Sequence, residues 1–418
     1  MKKIIASAGL VAVSTAGLQA AAPALSPMEA SKPWSISATL RGFYDDNYTS
    51  IAKPLAEDSF GIEVRPAIAL NFPFEQSFIG AGYIYSLRWY EARPDHEIDQ
   101  SHEFTLRADH RFSERFSVDF DDSFVFSDEP SVFDDQGPVT TFLRTDAEAF
   151  RNRATINFDA QLTELVGLGL GYENGWYDFD QEGPGSRSAL MDRFEHDFHI
   201  EGRWHARENL SAILGYGLNI FSYTDDEVIA TDLAGNPVGF SEDRDKISQR
   251  VYVGADYAWT SQFRISGKVG GEYTDFHEAD EDQVTPWVQI AGTYNYLPGS
   301  YLQFGFLHGR NATDRATPNL ADQIVLDQES SSLFGVLTHR ITPRLDGSII
   351  ARVQRSEFQE GLWDGEIDNF VMLGLNVEYR FTPNWATEVG YNYDRLDSDL
   401  PARSFTRNRV YAGVRATY

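Results

Sequence analysis

Cysteine is absent from all 418 residues, which excludes disulfide scaffolds, thiol catalysis and cysteine-held metals together. A chain that crosses an oxidising periplasm unfolded gains from having no thiols to mispair. Long apolar runs are absent too, apart from Ile4–Leu18, and mean hydropathy is −0.37, which excludes a bundle of membrane-spanning helices. No Gly/Ser linker, proline hinge or change of composition divides Trp34–Tyr418. There is no Walker loop, no Gly-x-Ser-x-Gly elbow and no Asp-x-Asp-x-Asp-Gly calcium loop. The nine histidines are scattered, and His196 and His199, three apart, would point to opposite faces of a strand. No catalytic residue, metal site or cofactor is therefore expected. A hydrolase assembled from loop residues such as His277 and Glu278 is the remaining enzymatic reading. A net charge of −28 argues against a nucleic-acid partner.

What the chain has is a repeat. From Trp34 to Tyr418, pairs of alternating stretches of about a dozen residues are joined by tight turns, and longer acidic links separate the pairs. Candidate strands begin at Trp34–Tyr44, Ser59–Leu70 and Ser77–Trp89, pass through Val284–Leu297, and end with Asn369–Phe381, Asn384–Asp394 and Ser404–Tyr418. The tight links include Phe112-Ser113-Glu114-Arg115, Leu297-Pro298-Gly299, Thr342-Pro343 and Thr382-Pro383, whose residues preset turns and end ladders. The expected fold class is all-β: a transmembrane antiparallel up-and-down β-barrel of about eighteen strands, with sixteen as the alternative count. Short turns would lie in the periplasm and long loops outside.

The start of the chain reads as an address. Lys2 and Lys3 precede the apolar Ile4–Leu18, and Ala20-Ala21-Ala22 supply small residues for cleavage. The expected division is a signal peptide at 1–22, a periplasmic segment at 23–33 and one outer-membrane barrel at 34–418.

Period-two alternation sorts each strand into two faces. Val371, Leu373, Leu375, Val377 and Tyr379 oppose Asn376, Glu378 and Arg380; Val410, Val414 and Tyr418 oppose Arg407, Arg409 and Arg415. A soluble sandwich alternates as well, but stretches of ten to fourteen residues suit a tilted membrane span better. Trp34, Tyr44, Trp89, Tyr177, Trp204, Trp259, Trp385 and Tyr418 fall near strand ends and would form interfacial girdles.

The same sorting nominates a pore lining. The arginines Arg65, Arg88, Arg107, Arg151, Arg153, Arg264, Arg352, Arg380, Arg409 and Arg415 take inward positions, as do Arg41 and Arg203. Interleaved acids are Glu63, Asp109, Asp119, Asp121, Asp159, Glu378 and Glu388, with Glu195, Asp197, Glu201 and Glu272. Such walls pass polar solutes and disfavour apolar ones; the competing reading is a ladder of salt bridges that stiffens or plugs the lumen. Inward aromatics look rare, with Tyr252 and Tyr411 the examples. The acid excess lies in the long links, as in Asp225-Asp226-Glu227 and Glu278-Asp280-Glu281-Asp282, and would make an acidic vestibule or simply a solvated surface. The longest link, Ser127–Ala149, is a candidate constriction loop through Glu129, Asp134 and Asp135, or an ordinary surface loop.

Several segments carry a family likeness: Ser113-Glu114-Arg115-Phe116-Ser117, Asp122-Ser123-Phe124-Val125-Phe126, Tyr296-Leu297-Pro298-Gly299-Ser300-Tyr301 and His308-Gly309-Arg310-Asn311-Ala312-Thr313-Asp314. So do Gln328-Glu329-Ser330-Ser331, His339-Arg340-Ile341-Thr342-Pro343 and Gly390-Tyr391-Asn392-Tyr393-Asp394-Arg395-Leu396-Asp397-Ser398-Asp399. They resemble the bacterial putative β-barrel porins, the second family of that name. The resemblance implies an outer-membrane barrel strongly and its function only through architecture. The expected function is passive diffusion of small hydrophilic solutes, with a cation preference from the outer loops. The alternatives are a substrate-selective transporter and a structural or adhesive surface barrel. Expected partners are outer-membrane lipid and lipopolysaccharide, the barrel-assembly machinery through the C-terminal strand, and small solutes or cations; the oligomeric state is left open.

Overall fold

The computed structural model describes residues 32–93, 97–128, 133–134, 137–138, 148–232, 234–279 and 281–418. The expected signal peptide, nearly all of the 23–33 segment, and Glu129, Asp135 and Asp280 lie outside the described residues. For Asp134 only a backbone pairing with Gly137 is described.

Alternation becomes eighteen antiparallel strands in one sheet. They are β1 (Trp34–Asp45), β2 (Ser59–Pro73), β3 (Ser77–Tyr90), β4 (Ile98–Arg111), β5 (Phe116–Ser127) and β6 (Ala149–Gln161). Next come β7 (Val166–Phe179), β8 (Arg193–Arg207), β9 (Leu210–Tyr223), β10 (Lys246–Ala258), β11 (Phe263–Phe276) and β12 (Glu281–Leu297). The last are β13 (Ser300–Asn311), β14 (Asp327–Thr342), β15 (Leu345–Gln359), β16 (Ile367–Arg380), β17 (Trp385–Ser398) and β18 (Phe405–Thr417). Each pairs with its sequence neighbours, and β18 closes on β1 in a register running from Ser37↔Thr417 to Asp45↔Arg409. Closure leaves no edge, which a membrane demands because no water is present to satisfy an unpaired amide.

Strand edges moved by a few residues, and one move changes a reading. Strand β12 starts at Glu281, so Glu281 and Asp282 belong to the ladder and not to a loop cluster. The link before it is short, 277–280. The tight links behave as their residues dictate; Gly299, after Pro298, sits at φ +78, a conformation that only glycine adopts without strain.

The outer face is a belt of exposed apolar side chains, among them Leu40, Val64, Leu214, Val253, Val269, Leu375, Val377, Val389 and Val414. At the short-turn end Trp34, Trp204, Trp259, Trp385 and Tyr418 are all exposed, and the Trp34 and Tyr418 rings lie 5.6 Å apart across the closing seam. At the other end Tyr44 packs on Phe60 at 4.9 Å and Trp176 on Phe150 at 4.4 Å. Those are the two interfacial girdles. Tyr177 is not part of them. It is buried on the inner face with the Arg193 guanidinium 4.0 Å from its ring, and its neighbour Trp176 holds the girdle position. Two adjacent aromatics can each take the interface, and local pattern alone did not say which.

Candidate functional site

The inner wall gathers the charged residues that alternation nominated. Glu63 accepts from Arg41 Nη1 at 2.9 Å and from Arg88 Nε at 2.9 Å, and Arg41 Nε reaches Glu388 at 2.5 Å. Arg41 is on β1 and Glu388 on β17, so the side chain must cross β18. It does so over Gly413, where an added Cβ would stand 2.6 Å from Arg41 Cγ. Arg65 approaches Glu103 at 3.7 Å, and Arg107 lies between Asp109 at 3.3 Å and Asp121 at 4.0 Å. Asp119 pairs in register with Asp109 on the neighbouring strand and shares its face.

Further round, Arg153 meets Glu173 at 2.6 Å, while Arg203 joins Asp159 and Glu201. Arg250 pairs with Asp197 and lies 3.7 Å from Glu272. Glu378 takes Arg415 at 2.8 Å and Arg380 at 3.6 Å, and Arg380 also pairs with Asp346. Arg409 shares Asp45 with Arg407. Arg352 is buried and donates to Ser332 Oγ at 3.2 Å and to Gln354. Arg151 is buried on the same face. Arg264, at the short-turn end of β11, forms no ion pair among the described residues. Most of these side chains lie along the wall, with Arg203 over Gly169 and Tyr252 over Gly215, while Lys268 reaches Glu201 three strands away and Lys246 of β10 reaches Asp327 of β14 at 2.7 Å.

Three things were missed. Glu103, Glu173, Asp346 and Asp45 complete the ion pairs, yet each has an acid's ordinary look in a polar stretch, and only the cross-strand register shows what it faces. Second, inward aromatics are common: Phe43, Tyr90, Phe221, Tyr223, Phe334, Phe370 and Phe405 join Tyr252 and Tyr411. Phe334, Val336, Phe370, Met372, Leu396 and Phe405 form an apolar patch on the inner face of β14–β18. Strands with apolar residues on both faces blur the alternation that was used to read them. Third, the outer links are not independent loops.

Those links meet. Arg244, fully buried in the link 224–245, donates to the carbonyls of Leu326 at 3.1 Å, Leu190 at 3.1 Å and Thr313. Around it Ala189, Ile229, Ala230, Phe276, Ala316, Ile324 and Leu326 pack into a small core. From the other side Arg403 holds Asp314 with two bonds of 2.7 and 2.9 Å and Asp368 with one of 2.8 Å. Burial alone would raise the Asp314 carboxyl, but Arg403, Arg315 and Arg187 hold it well below the usual carboxylate range. Burial opposes the Arg403 charge as well, and Asp314 and Asp368 outweigh it.

A depressed carboxyl contributes stability above its unfolded value and loses it as pH falls through the folded one. The assembled links should therefore hold from neutral pH through the ordinary carboxylate range and loosen only in stronger acid. Trp363 packs in the adjoining cluster with Val325 and Leu400, and reports on them. Its fluorescence, taken as the difference from Trp363→Phe in a Glu360→Gln background because burial and Asp364 raise the Glu360 carboxyl, should stay constant down to about pH 4. A transition centred at or above that pH would contradict the ion-pair account.

A closed barrel with a lipid-facing belt, two aromatic girdles and a charged inner wall defines an outer-membrane β-barrel. Within this class, residues 330–418, which are nearly all of β14 and the whole of β15–β18, match the family described as "Putative beta-barrel porin 2". That stretch contains His339–Pro343 and Gly390–Asp399 of the resembling segments; those near Ser113, Asp122, Tyr296 and His308 lie outside it. No curated protein sequence matches the chain. Among solved structures, the Pseudomonas aeruginosa outer membrane protein opdK is 11% identical, with a TM-score of 0.43 over 92% of this chain and 99% of that one. P. aeruginosa OpdO is 12% identical, with a TM-score of 0.45 over 92% and 97%. Acinetobacter baumannii OccAB4 is 10% identical, with a TM-score of 0.43 over 93% and 99%. Identities this low say nothing of a solute, and the architecture here stands on the strand pairing itself.

Proposed function

We propose that the barrel is a passive diffusion channel for small hydrophilic solutes, with a mild preference for cations. The observation that carries this reading is the inner wall, where arginines and acids are paired with one another mostly along its surface, so the lining is largely polar. An eighteen-strand circuit is wider than side chains alone can fill. A cavity of about 250 Å³ remains on this wall, lined by Arg153, Glu173, Asp197, Asn219, Arg250 and Arg352 among others. The acid excess of the outer links supplies the cation preference by raising local cation concentration. Lipid and lipopolysaccharide cover the outer belt, and the closing strand with its terminal aromatic is the handle for barrel assembly.

A substrate-selective transporter is the second reading, favoured by the Tyr252 and Trp287 rings, 5.0 Å apart beside that cavity. Single-channel recording in a planar bilayer separates the two. Stepwise, ohmic conductance with a reversal potential of cation sign in a salt gradient supports diffusion, and a current that one solute saturates and blocks supports selectivity. A folded barrel that carries no current, either as the natural protein or in the Arg403→Gln/Asp314→Asn variant, would sink both.

A further inference from the structure

We propose that the link 312–326, held by Arg403 and Arg244, is a roof over part of the outer mouth, and that these two arginines and Asp314 are positioning residues that set the size of solute admitted. The inference rests on the channel reading above.

The geometry is one of reach. Leu190 belongs to the β7–β8 link and Arg403 to the β17–β18 link, which stand nearly opposite each other in a circuit of eighteen strands. Yet they are joined through a chain of direct contacts: Leu190 O to Arg244, Arg244 to Thr313 O, and the adjacent Asp314 to Arg403. Four strands separate the links of Arg244 and Thr313, and four separate those of Asp314 and Arg403, while the buried Lys246 of β10 reaches Asp327 of β14 at 2.7 Å, so the wall and its links close inward from the rim on this side. The Leu362 amide donates to Thr317 O at 3.0 Å and ties in the link 360–366 as well.

The contacts are of a strength that holds a position. Arg244 is fully buried and spends its donors on three backbone carbonyls from two different links, so no side-chain rotation in its partners can release it. Arg403 makes a two-point bond to Asp314, the geometry in which guanidinium and carboxylate fix each other's orientation. Val325 of this link shares a buried cluster with Leu400 of the β17–β18 link. The chain contains no cysteine, so a disulfide placed there would be the molecule's single one.

The test uses the full-length protein in planar bilayers. In Arg403→Gln/Asp314→Asn the two-point bond is gone while Arg244 and its core remain. Heat-modifiable migration on gels confirms that this variant is folded. Conductance should rise, and larger sugars should pass in a swelling assay. Adding Val325→Cys/Leu400→Cys, in the buried cluster that joins the 312–326 link to the β17–β18 link, should restore the natural conductance when oxidised and release it again on reduction. A merely structural role for Arg403 would not be rescued reversibly by a cross-link elsewhere in the roof. A natural protein without current whose Arg403→Gln/Asp314→Asn variant conducts also supports the roof, as a complete closure. Two results overturn the inference. If the natural protein conducts and the folded variants conduct identically, the roof does not set admission and the channel reading survives. If none of them conducts, the channel reading falls and the roof with it.

Discussion

Asp45→Asn is expected to destabilise the barrel by about 3–5 kcal/mol, the range for breaking a buried ion pair from one side. Asp45 is fully buried at the outer end of β1 and is shared by two arginines of β18. Arg407 reaches it with Nε at 2.9 Å and Nη2 at 2.7 Å, and Arg409 with Nε at 2.8 Å. The Asn47 amide donates to its other oxygen at 3.1 Å. Asparagine keeps the shape, so no cavity is made and the change isolates the charge. The buried Arg407 and partly buried Arg409 guanidiniums would then lack the carboxylate they share. The position makes the cost global: β1 and β18 are the first and last strands, and their pairing closes the cylinder. Opening that seam exposes two strand edges to lipid, where unpaired amides are expensive. Urea unfolding in detergent, followed by the folded band on gels, measures the loss. Arg407→Gln should lose nearly as much, and Asp45→Asn/Arg407→Gln should lose less than the two single changes combined. An unshifted unfolding midpoint in Asp45→Asn would remove the seam from the account of stability.

The second large effect separates two neighbours in one strand. Leu375→Arg, near the middle of β16, should cost about 2–4 kcal/mol, because an arginine there faces hydrocarbon. Asn376→Arg places the same side chain on the inner face, where Asn376 accepts from Tyr411 Oη at 3.3 Å among other polar groups. Its cost in stability should be within the small range of tolerated surface changes, and its signature should be a shift of ion preference toward anions. Unfolding midpoints of both variants in lipid vesicles check the first claim, and reversal potentials check the second. Equal destabilisation by the two substitutions would mean that the assigned faces are wrong.

Most of the barrel was legible along the chain. The eighteen strands, the turn chemistry and the two faces follow from spacing, because in an extended chain successive side chains must point to opposite sides. The same alternation puts the charged set from Arg65 to Arg415 on the inner face, where the pairs between strands are found. Legibility failed where the pattern is locally degenerate. Trp176 and Tyr177 are both aromatic, and a shift of one residue exchanges membrane for lumen. Phe334 and Phe370 face inward on strands whose other face is apolar too, so hydropathy carried no sign of direction.

Other features had no local signal at all. That Arg41 pairs with Glu388, 347 residues away, depends on β18 lying between β1 and β17 and on Gly413 leaving room to cross. That Arg244 reaches Thr313 and Asp314 reaches Arg403, each past four strands, depends on the sheet curling, since only curvature brings links so far apart in a flat sheet within reach. Each strand's two faces are set by bonds within that strand, and a sequence records them residue by residue. What crosses the mouth and what bolts the seam are set by distances between strands far apart in the chain, and those exist only once the last strand has paired with the first.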